Sequence, residues 1–180
     1  MISSDIEKVL LTEEQIEQRC IELAQQIERD YEEEGTVPII VGLLKGSIPF
    51  MAELIKRFTF PCEIDFMSVS SYDGTESIGD VRIEKDMDLS TKSRSVLVVE
   101  DIVDTGRTLA EVKKMFFNKG ATDVKIVSLL DKPDRRVVDI EADYIGFTVP
   151  NEFVVGYGLD FNQKYRNLPF IGVLKPEIYE

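Results

Sequence analysis

The hydrophobic pattern in the first part of the chain predicts a long amphipathic helix followed by a buried strand. Apolar residues recur at helical spacing at Ile16, Cys20, Leu23, Ile27 and Tyr31. Thr12 and Gln15 form a capping-box pattern at the start of this helix, and Gly35 can end it. The apolar run at 37–44 is nearly continuous, which is typical of a strand that is buried on both faces of a parallel sheet.

The remainder of the chain alternates between strand and helix patterns. Helices are predicted at 47–58 and around 109–116, and strands at 62–70, 95–100, 124–130, 144–149, 153–157 and 170–174. Residues 71–80 are polar and contain two glycines, which predicts a mobile loop, and 101–106 predict a turn. This alternation predicts an α/β fold with a mainly parallel central sheet flanked by helices. No linker divides the sequence, so we expect one domain over residues 1–180.

Composition and charge narrow the possible partners. The net charge is −13, from 34 acidic and 21 basic residues, and this argues against a general nucleic-acid binder. Any phosphate site must therefore use a few local cations, backbone N–H groups and a metal. No apolar run approaches the ~20 residues of a membrane helix, and the N-terminus lacks signal-peptide features, so we expect a cytoplasmic protein with no membrane partner. Cys20 and Cys62 are interpreted as small buried hydrophobic residues.

The chain contains no histidine. Catalysis by Ser-His-Asp or Cys-His groups is therefore excluded, as is any metal site with histidine ligands. Proton transfer must use a carboxylate, a lysine or a tyrosine. A metal should be a hard cation with oxygen ligands, which favours Mg²⁺.

The segment 96–108 carries the strongest chemical signal. A buried strand ends in two adjacent acids, Glu100 and Asp101, and a short turn at 104–108 then opens a helix. Ligands of α/β sheets bind at this carboxyl end of the strands. Gly106 permits close approach of the backbone, and N–H groups at a helix N-terminus attract a phosphate. The residues of the turn are Asp104, Thr105, Gly106, Arg107 and Thr108.

This segment resembles the signature of the type I phosphoribosyltransferases, which bind phosphoribosyl pyrophosphate (PRPP). The resemblance implies the fold of that family, with a small hood formed from terminal segments. It implies that Glu100 and Asp101 bind the ribose hydroxyls and a metal, and that loop 104–108 holds the 5′-phosphate. Carboxylates accept hydrogen bonds from vicinal hydroxyls, and backbone donors suit a phosphate.

Other segments resemble the hypoxanthine–guanine branch of the family. Leu43-Leu44-Lys45-Gly46-Ser47 matches its pyrophosphate loop, and the resemblance implies a cis peptide bond between Leu44 and Lys45. Ser71-Tyr72 with the following polar loop matches its catalytic flap, which closes over PRPP and excludes water. Arg166 matches a residue that contacts pyrophosphate.

The base-binding residues of this branch also have counterparts in the chain. Lys132 matches the lysine that donates to the six-position oxygen of the purine, so the site should accept hypoxanthine and guanine and reject adenine. The resemblance implies that Phe153 stacks on the purine and that the Val154 backbone bonds its edge. Asp160 is implied to hold Mg²⁺ beside the base. Members of the family are usually dimers or tetramers, which implies a homodimer or homotetramer.

The implied function is purine salvage, with Asp104 as the base that accepts a proton from the purine. The products would be IMP or GMP and pyrophosphate. Three alternatives stay open at this point: a xanthine-preferring 6-oxopurine transferase, a regulatory protein that binds PRPP or nucleotides, and an enzyme similar to PRPP synthetase. The negative charge opposes the second, and the absence of a separate ATP site opposes the third.

Overall fold

The computed structural model describes residues 2–71 and 81–180. The predicted mobile loop therefore lies almost wholly outside the described residues, and so does Tyr72. The strands are β1 (Ile6–Leu11), β2 (Ile39–Leu43), β3 (Glu63–Ser71), β4 (Val81–Lys85), β5 (Ser95–Val103), β6 (Asp123–Asp131), β7 (Tyr144–Thr148), β8 (Val154–Val155) and β9 (Ile171–Leu174). The α-helices are α1 (Glu13–Glu34), α2 (Ile48–Ile55), α3 (Arg107–Asn118) and α4 (Pro176–Tyr179). Short 3-10 turns cover Ile2–Asp5 and Pro133–Arg135.

The central sheet has six strands in the order β4-β3-β2-β5-β6-β7. All neighbouring pairs are parallel except β3 and β4, which form an antiparallel edge. The sequence prediction of an α/β fold with a mainly parallel sheet is confirmed. The topology places the carboxyl ends of β2, β5 and β6 side by side, where ligands of such sheets bind.

Alternate residues of the central strands face different helices. On β5, Val96 and Val98 pack in a cluster with α3, whereas Leu97 and Val99 pack in a larger cluster with α1 and α2. All four side chains are fully buried. This explains the continuous apolar run on β5, because a strand covered on both faces needs apolar residues at every position.

A second, three-stranded sheet in the order β1-β9-β8 forms a hood from the two ends of the chain. One face of the hood joins the main core through Val154 and Val173, and its other face carries a separate apolar cluster around Val155 and Leu174. The hood therefore connects the terminal segments to the carboxyl edge of the central sheet.

Helix α1 matches its sequence prediction closely. The side chain of Thr12 accepts from the Gln15 backbone N–H at 3.3 Å, and the Thr12 N–H donates to the Gln15 side chain at 2.9 Å. Gly35 ends the helix in the left-handed conformation at φ 66°. No helix among the residues that the structure describes has the length and apolar character that crossing a bilayer requires.

Several boundaries differ from the sequence predictions. β5 does not end at Glu100 but continues to Val103, because β6 pairs with it as far as Asp131. β1 and β4 were not predicted, since most of their residues are exposed and their polar side chains mask the alternation. Helix α2 ends at Ile55, and Cys62 precedes β3 and is only half-buried.

Candidate active site

The loop between β5 and α3 lies at the carboxyl edge of the central sheet. A small cavity there is lined by residues from the end of β5 and the start of α3, among them Glu100, Asp104, Thr105, Gly106 and Thr108. Gly106 adopts φ 83°, a conformation that favours glycine, and α3 begins at the next residue. A Cβ at Gly106 would lie 2.5 Å from the Ile140 side chain, so this position also has no room for one. The first turn of α3 therefore borders the cavity through Thr108 and Leu109, and the N-terminus of a helix is a favourable place for an anion.

A segment after β6 holds the backbone of this loop in place. The Nη1 of Arg136 donates to the Asp104 carbonyl oxygen at 2.6 Å, and its Nη2 pairs with Asp131. The Val137 N–H donates to the Thr105 carbonyl at 3.1 Å. These contacts bond the carbonyl oxygens of Asp104 and Thr105 to the segment after β6 and so hold the loop backbone in one position.

The carboxylate of Asp104 is half-exposed and pairs with Arg135. The Arg135 Nε donates to Asp104 Oδ1 at 3.0 Å. Exposed ion pairs of this kind contribute little to stability and open readily. The Asp104 carboxylate can therefore leave Arg135 for another proton donor at low cost.

The two acids at the end of β5 are crowded. Burial and the neighbouring Asp101 carboxylate raise the pKa of Glu100 well above its usual value. Burial also raises the pKa of Asp101. Two adjacent carboxylates with poor solvation favour a ligand that supplies hydroxyl donors or a cation.

The Lys45 loop packs directly against this acid pair. The Leu44–Lys45 peptide bond is cis, as the family resemblance implies. A Cβ at Gly46 would collide with the Asp101 carboxylate, so glycine is the residue that fits there. On the opposite side, a Cβ at Gly158 would collide with the Gly46 carbonyl oxygen. The loop after β2 is thus held between β5 and the segment that follows β8.

Lys45 and Arg166 are linked through one amide side chain. The Lys45 Nζ donates to Gln163 Oε1 at 3.2 Å, and the Arg166 Nη2 donates to the same oxygen at 3.3 Å. Arg166 also pairs with Asp160 at 3.0 Å and donates to the Gly158 carbonyl at 2.7 Å. Two cations are therefore held side by side next to Asp101, an arrangement that can bind a polyanion.

Lys132 and Phe153 lie beside the end of β5. The Lys132 backbone N–H donates to the Val103 carbonyl at 2.9 Å, and its Nζ donates to the Glu152 carbonyl at 2.6 Å. Burial lowers the pKa of the Lys132 ammonium. Phe153 follows Glu152 directly and is 37% exposed. The structure therefore brings the predicted base-binding residues together with the predicted PRPP-binding residues at one edge of the sheet.

Two further predicted site residues, Val154 and Arg107, lie in the described part of the chain. Val154 begins β8 and pairs with Val173, and Arg107 is exposed at the start of α3. Ser71 ends β3, but its side chain and all of Tyr72 lie outside the described part of the chain.

The oxygen ligands at the site suit a metal that arrives with a substrate. Over residues 2–71 and 81–180, no group of three or more acidic or thiol side chains converges on one point. Glu100, Asp101 and Asp160 thus do not form a closed protein cage. Mg²⁺ usually keeps several waters and binds one or two carboxylates together with substrate phosphates, which fits the half-buried acid pair.

Sequence reasoning did not identify three residues that shape this site. Gln163 links the two cations, Arg135 pairs with Asp104, and Arg136 holds the loop backbone. Arg135 and Arg136 lie three and four residues after Lys132, so the sequence shows a basic pair there. It does not show that both side chains contact loop 104–108. Gln163 adopts φ 64° in a polar turn, and nothing in the sequence pattern distinguishes it from a surface residue.

Comparisons with known proteins agree with this geometry. The model of the phosphoribosyl transferase domain matches residues 8–162. A hypoxanthine-guanine phosphoribosyltransferase of Lactococcus lactis is 54% identical over 97% of this chain and 94% of its own length. One from Streptococcus pneumoniae is 55% identical over 99% of both chains. The crystal structure of a hypoxanthine phosphoribosyltransferase from Staphylococcus aureus superposes with a TM-score of 0.94, at 50% identity, over 99% of this chain and 97% of that one.

Proposed function

The chain belongs to the phosphoribosyltransferase family, and from this membership we propose that it transfers the 5-phosphoribosyl group of PRPP to hypoxanthine or guanine. The products are IMP or GMP and pyrophosphate, so the enzyme salvages free purines. The proposal is carried by the position of Lys132, whose backbone N–H bonds to Val103 at the end of β5, two residues after Asp101. The lysine proposed to recognise the base therefore lies next to the acid pair and loop proposed to bind the sugar phosphate. We further propose that residues 1–180 act as a single catalytic domain.

PRPP binds, in this proposal, along the carboxyl edge of the sheet. Loop 104–108 holds the 5′-phosphate with backbone N–H groups and threonine hydroxyls. Glu100 and Asp101 accept hydrogen bonds from the ribose hydroxyls. Lys45 and Arg166 bind the pyrophosphate. They stabilise the negative charge that develops on it as the bond between the anomeric carbon and the pyrophosphate oxygen breaks. Gly46 allows the Lys45 loop to approach Asp101.

Glu100, Asp101 and Asp160 would supply the protein oxygen ligands for Mg²⁺. The cation would contribute positive charge that offsets the charge of the pyrophosphate. The chain's own contribution is to present the carboxylate oxygens of the acid pair, which form no direct ion pair among the described residues. Asp160, by contrast, must share its carboxylate with Arg166.

The purine lies between the end of β5 and Phe153. Lys132 donates to the six-position oxygen, and an amino group at that position would present a second donor and be rejected. The nine-position nitrogen attacks the ribose while Asp104 accepts the proton from the seven-position nitrogen. Ser71 and Tyr72 belong to the flap that excludes water. The assembly is proposed to be a homodimer or homotetramer.

The test is nucleotide formation with purified protein, PRPP and Mg²⁺, using hypoxanthine, guanine, xanthine, adenine and uracil in parallel. We expect IMP and GMP to form, with no product from adenine or uracil. Activity with xanthine alone, or none with any base, would contradict the proposal.

A matched pair of variants ties the activity to the site. Glu100→Gln with Asp101→Asn should raise the KM for PRPP strongly. Glu32→Gln with Glu33→Gln makes the same change in charge on the exposed face of α1 and should leave the kinetics unchanged. Equal effects of the two double variants would show that the change in net charge, and not the loss of the acid pair, raises the KM for PRPP.

A further inference from the structure

The C-terminal helix α4 places an aromatic ring directly on Phe153. The rings of Tyr179 and Phe153 are stacked, with centroids 4.8 Å apart and planes inclined by 22°. Phe161 meets Phe153 edge-on at 5.6 Å and 89°. Phe153 is thus in contact with two aromatic rings, and Tyr179 is the one that stacks on its face.

This contact is built into the fold. The Leu174 N–H donates to the Phe153 carbonyl at 2.9 Å, and the Lys175 N–H donates to the Asp5 carbonyl at 3.0 Å. Ile178 packs against the outer apolar cluster of the hood. The main chain that leads into α4 is therefore bonded to Phe153 and Asp5, and Ile178 is packed next to the Tyr179 ring, so the ring is presented at a defined position.

The stacking leaves one face of Phe153 for a ligand. An aromatic ring has two faces, Tyr179 covers one of them, and yet Phe153 remains 37% exposed. A planar base can stack only on the uncovered face. Offset stacking between aromatic groups contributes beyond the area that it buries, and a ring already held in position loses less freedom when the base arrives.

We propose that Tyr179 is a positioning residue for the purine: it fixes the Phe153 ring from behind, so that base, Phe153 and Tyr179 form a three-layered stack. This inference rests on the proposed function and deepens it, since it assigns the orientation of the base-stacking ring to the last helix of the chain. Tyr179 acts through Phe153 and does not touch the substrate. Its hydroxyl has no part in the role, so a phenyl ring should suffice.

The experiment compares Tyr179→Ala, Tyr179→Phe and Glu177→Ala in the full chain. With PRPP saturating, Tyr179→Ala should raise the KM for hypoxanthine and guanine about 3- to 10-fold, the range expected for loss of one aromatic pair. The KM for PRPP at saturating base should stay within about twofold. Tyr179→Phe should restore the wild-type KM, and Glu177→Ala, an exposed residue of the same helix, should match wild type.

Three results would overturn the inference. An unchanged base KM in Tyr179→Ala would show that Phe153 needs no support. A lower base KM would show that Tyr179 covers the base position and competes with it. A parallel rise in the KM for PRPP, without rescue by Tyr179→Phe, would indicate general damage to the hood. In each case nucleotide formation by the wild-type chain would still support the proposed function, whereas an inactive wild-type chain would refute that function itself.

Discussion

At the scale of the residue, Asp104 lies in loop 104–108 and forms an exposed ion pair with Arg135. Asp104→Asn keeps the shape of the side chain but removes its basicity. We expect kcat to fall about 100-fold or more, as for loss of a general base, with the KM for PRPP nearly unchanged. Steady-state kinetics with each substrate varied separately measures both values.

Asp134→Asn provides the control, because Asp134 is an exposed acid only two residues from Lys132. It should behave as wild type. Near-normal turnover of Asp104→Asn would exclude Asp104 as the base.

We expect the proposed role of Lys132 to make purine binding dependent on pH. Burial lowers the pKa of its ammonium, so the charge is lost at a lower pH than in a solvated lysine. The KM for hypoxanthine should therefore be lowest below that pKa and rise as the pH increases through it. Lys132→Gln keeps a neutral donor and should raise the KM about 10-fold or more at neutral pH, without the alkaline rise. The prediction fails if the variant keeps the same alkaline profile.

At the scale of the element, the proposed role of the loop after β2 depends on the close contact between Gly46 and Asp101 on β5. In Gly46→Ala the new Cβ must displace the Asp101 carboxylate, and we expect the KM for PRPP to rise about 10-fold or more. Gly35→Ala is the matched control, because it strains a left-handed residue at the end of α1 where no atom is near. It should lower the free energy of unfolding by about 1 kcal/mol and leave the KM for PRPP unchanged. Urea unfolding and kinetics on both variants separate these effects.

The elements differ in how far the sequence predicts them. Helix α1 was predictable because its start, its end and its buried face each have a local signal, as Thr12, Gln15 and Gly35 show. β1 was not, because its neighbour β9 lies more than 150 residues away and Glu7 and Lys8 break the apolar pattern. Pairing between distant segments leaves no mark on a short exposed strand.

The same reasoning applies to the site. The acid pair and loop 104–108 form one continuous motif, so sequence alone indicated their chemistry. Lys45, Lys132 and Phe153 gained meaning only through the family resemblance, since each alone is typical of a surface or core position. The contact of Tyr179 with Phe153 depends on how the chain folds back after β9, which no local pattern encodes.

At the scale of the whole molecule, the two cysteines differ in how accessible they are to a reagent in the folded protein. Cys20 is fully buried in the main core, and burial raises the pKa of its thiol to about 12. Cys62 is half-buried at the edge of that core. We expect an alkylating reagent to modify Cys62 in the native protein. Cys20 should react at least about 1,000-fold more slowly, because the reagent reaches it only after global unfolding. Peptide mapping over time gives both rates, and comparable rates would contradict a rigid core.

The amide of Gln163 has a consequence for how tightly small anions can bind. Lys45 and Arg166 both donate to one oxygen, and fixing a long side chain costs up to about 2 kcal/mol of rotamer entropy. The contacts with Gln163 bring part of that loss forward to the unliganded protein. A compact bisphosphonate should therefore bind wild type with a smaller entropic cost than it binds Gln163→Ala, as isothermal calorimetry would measure. Gln163 thus brings the two cations together before any anion binds.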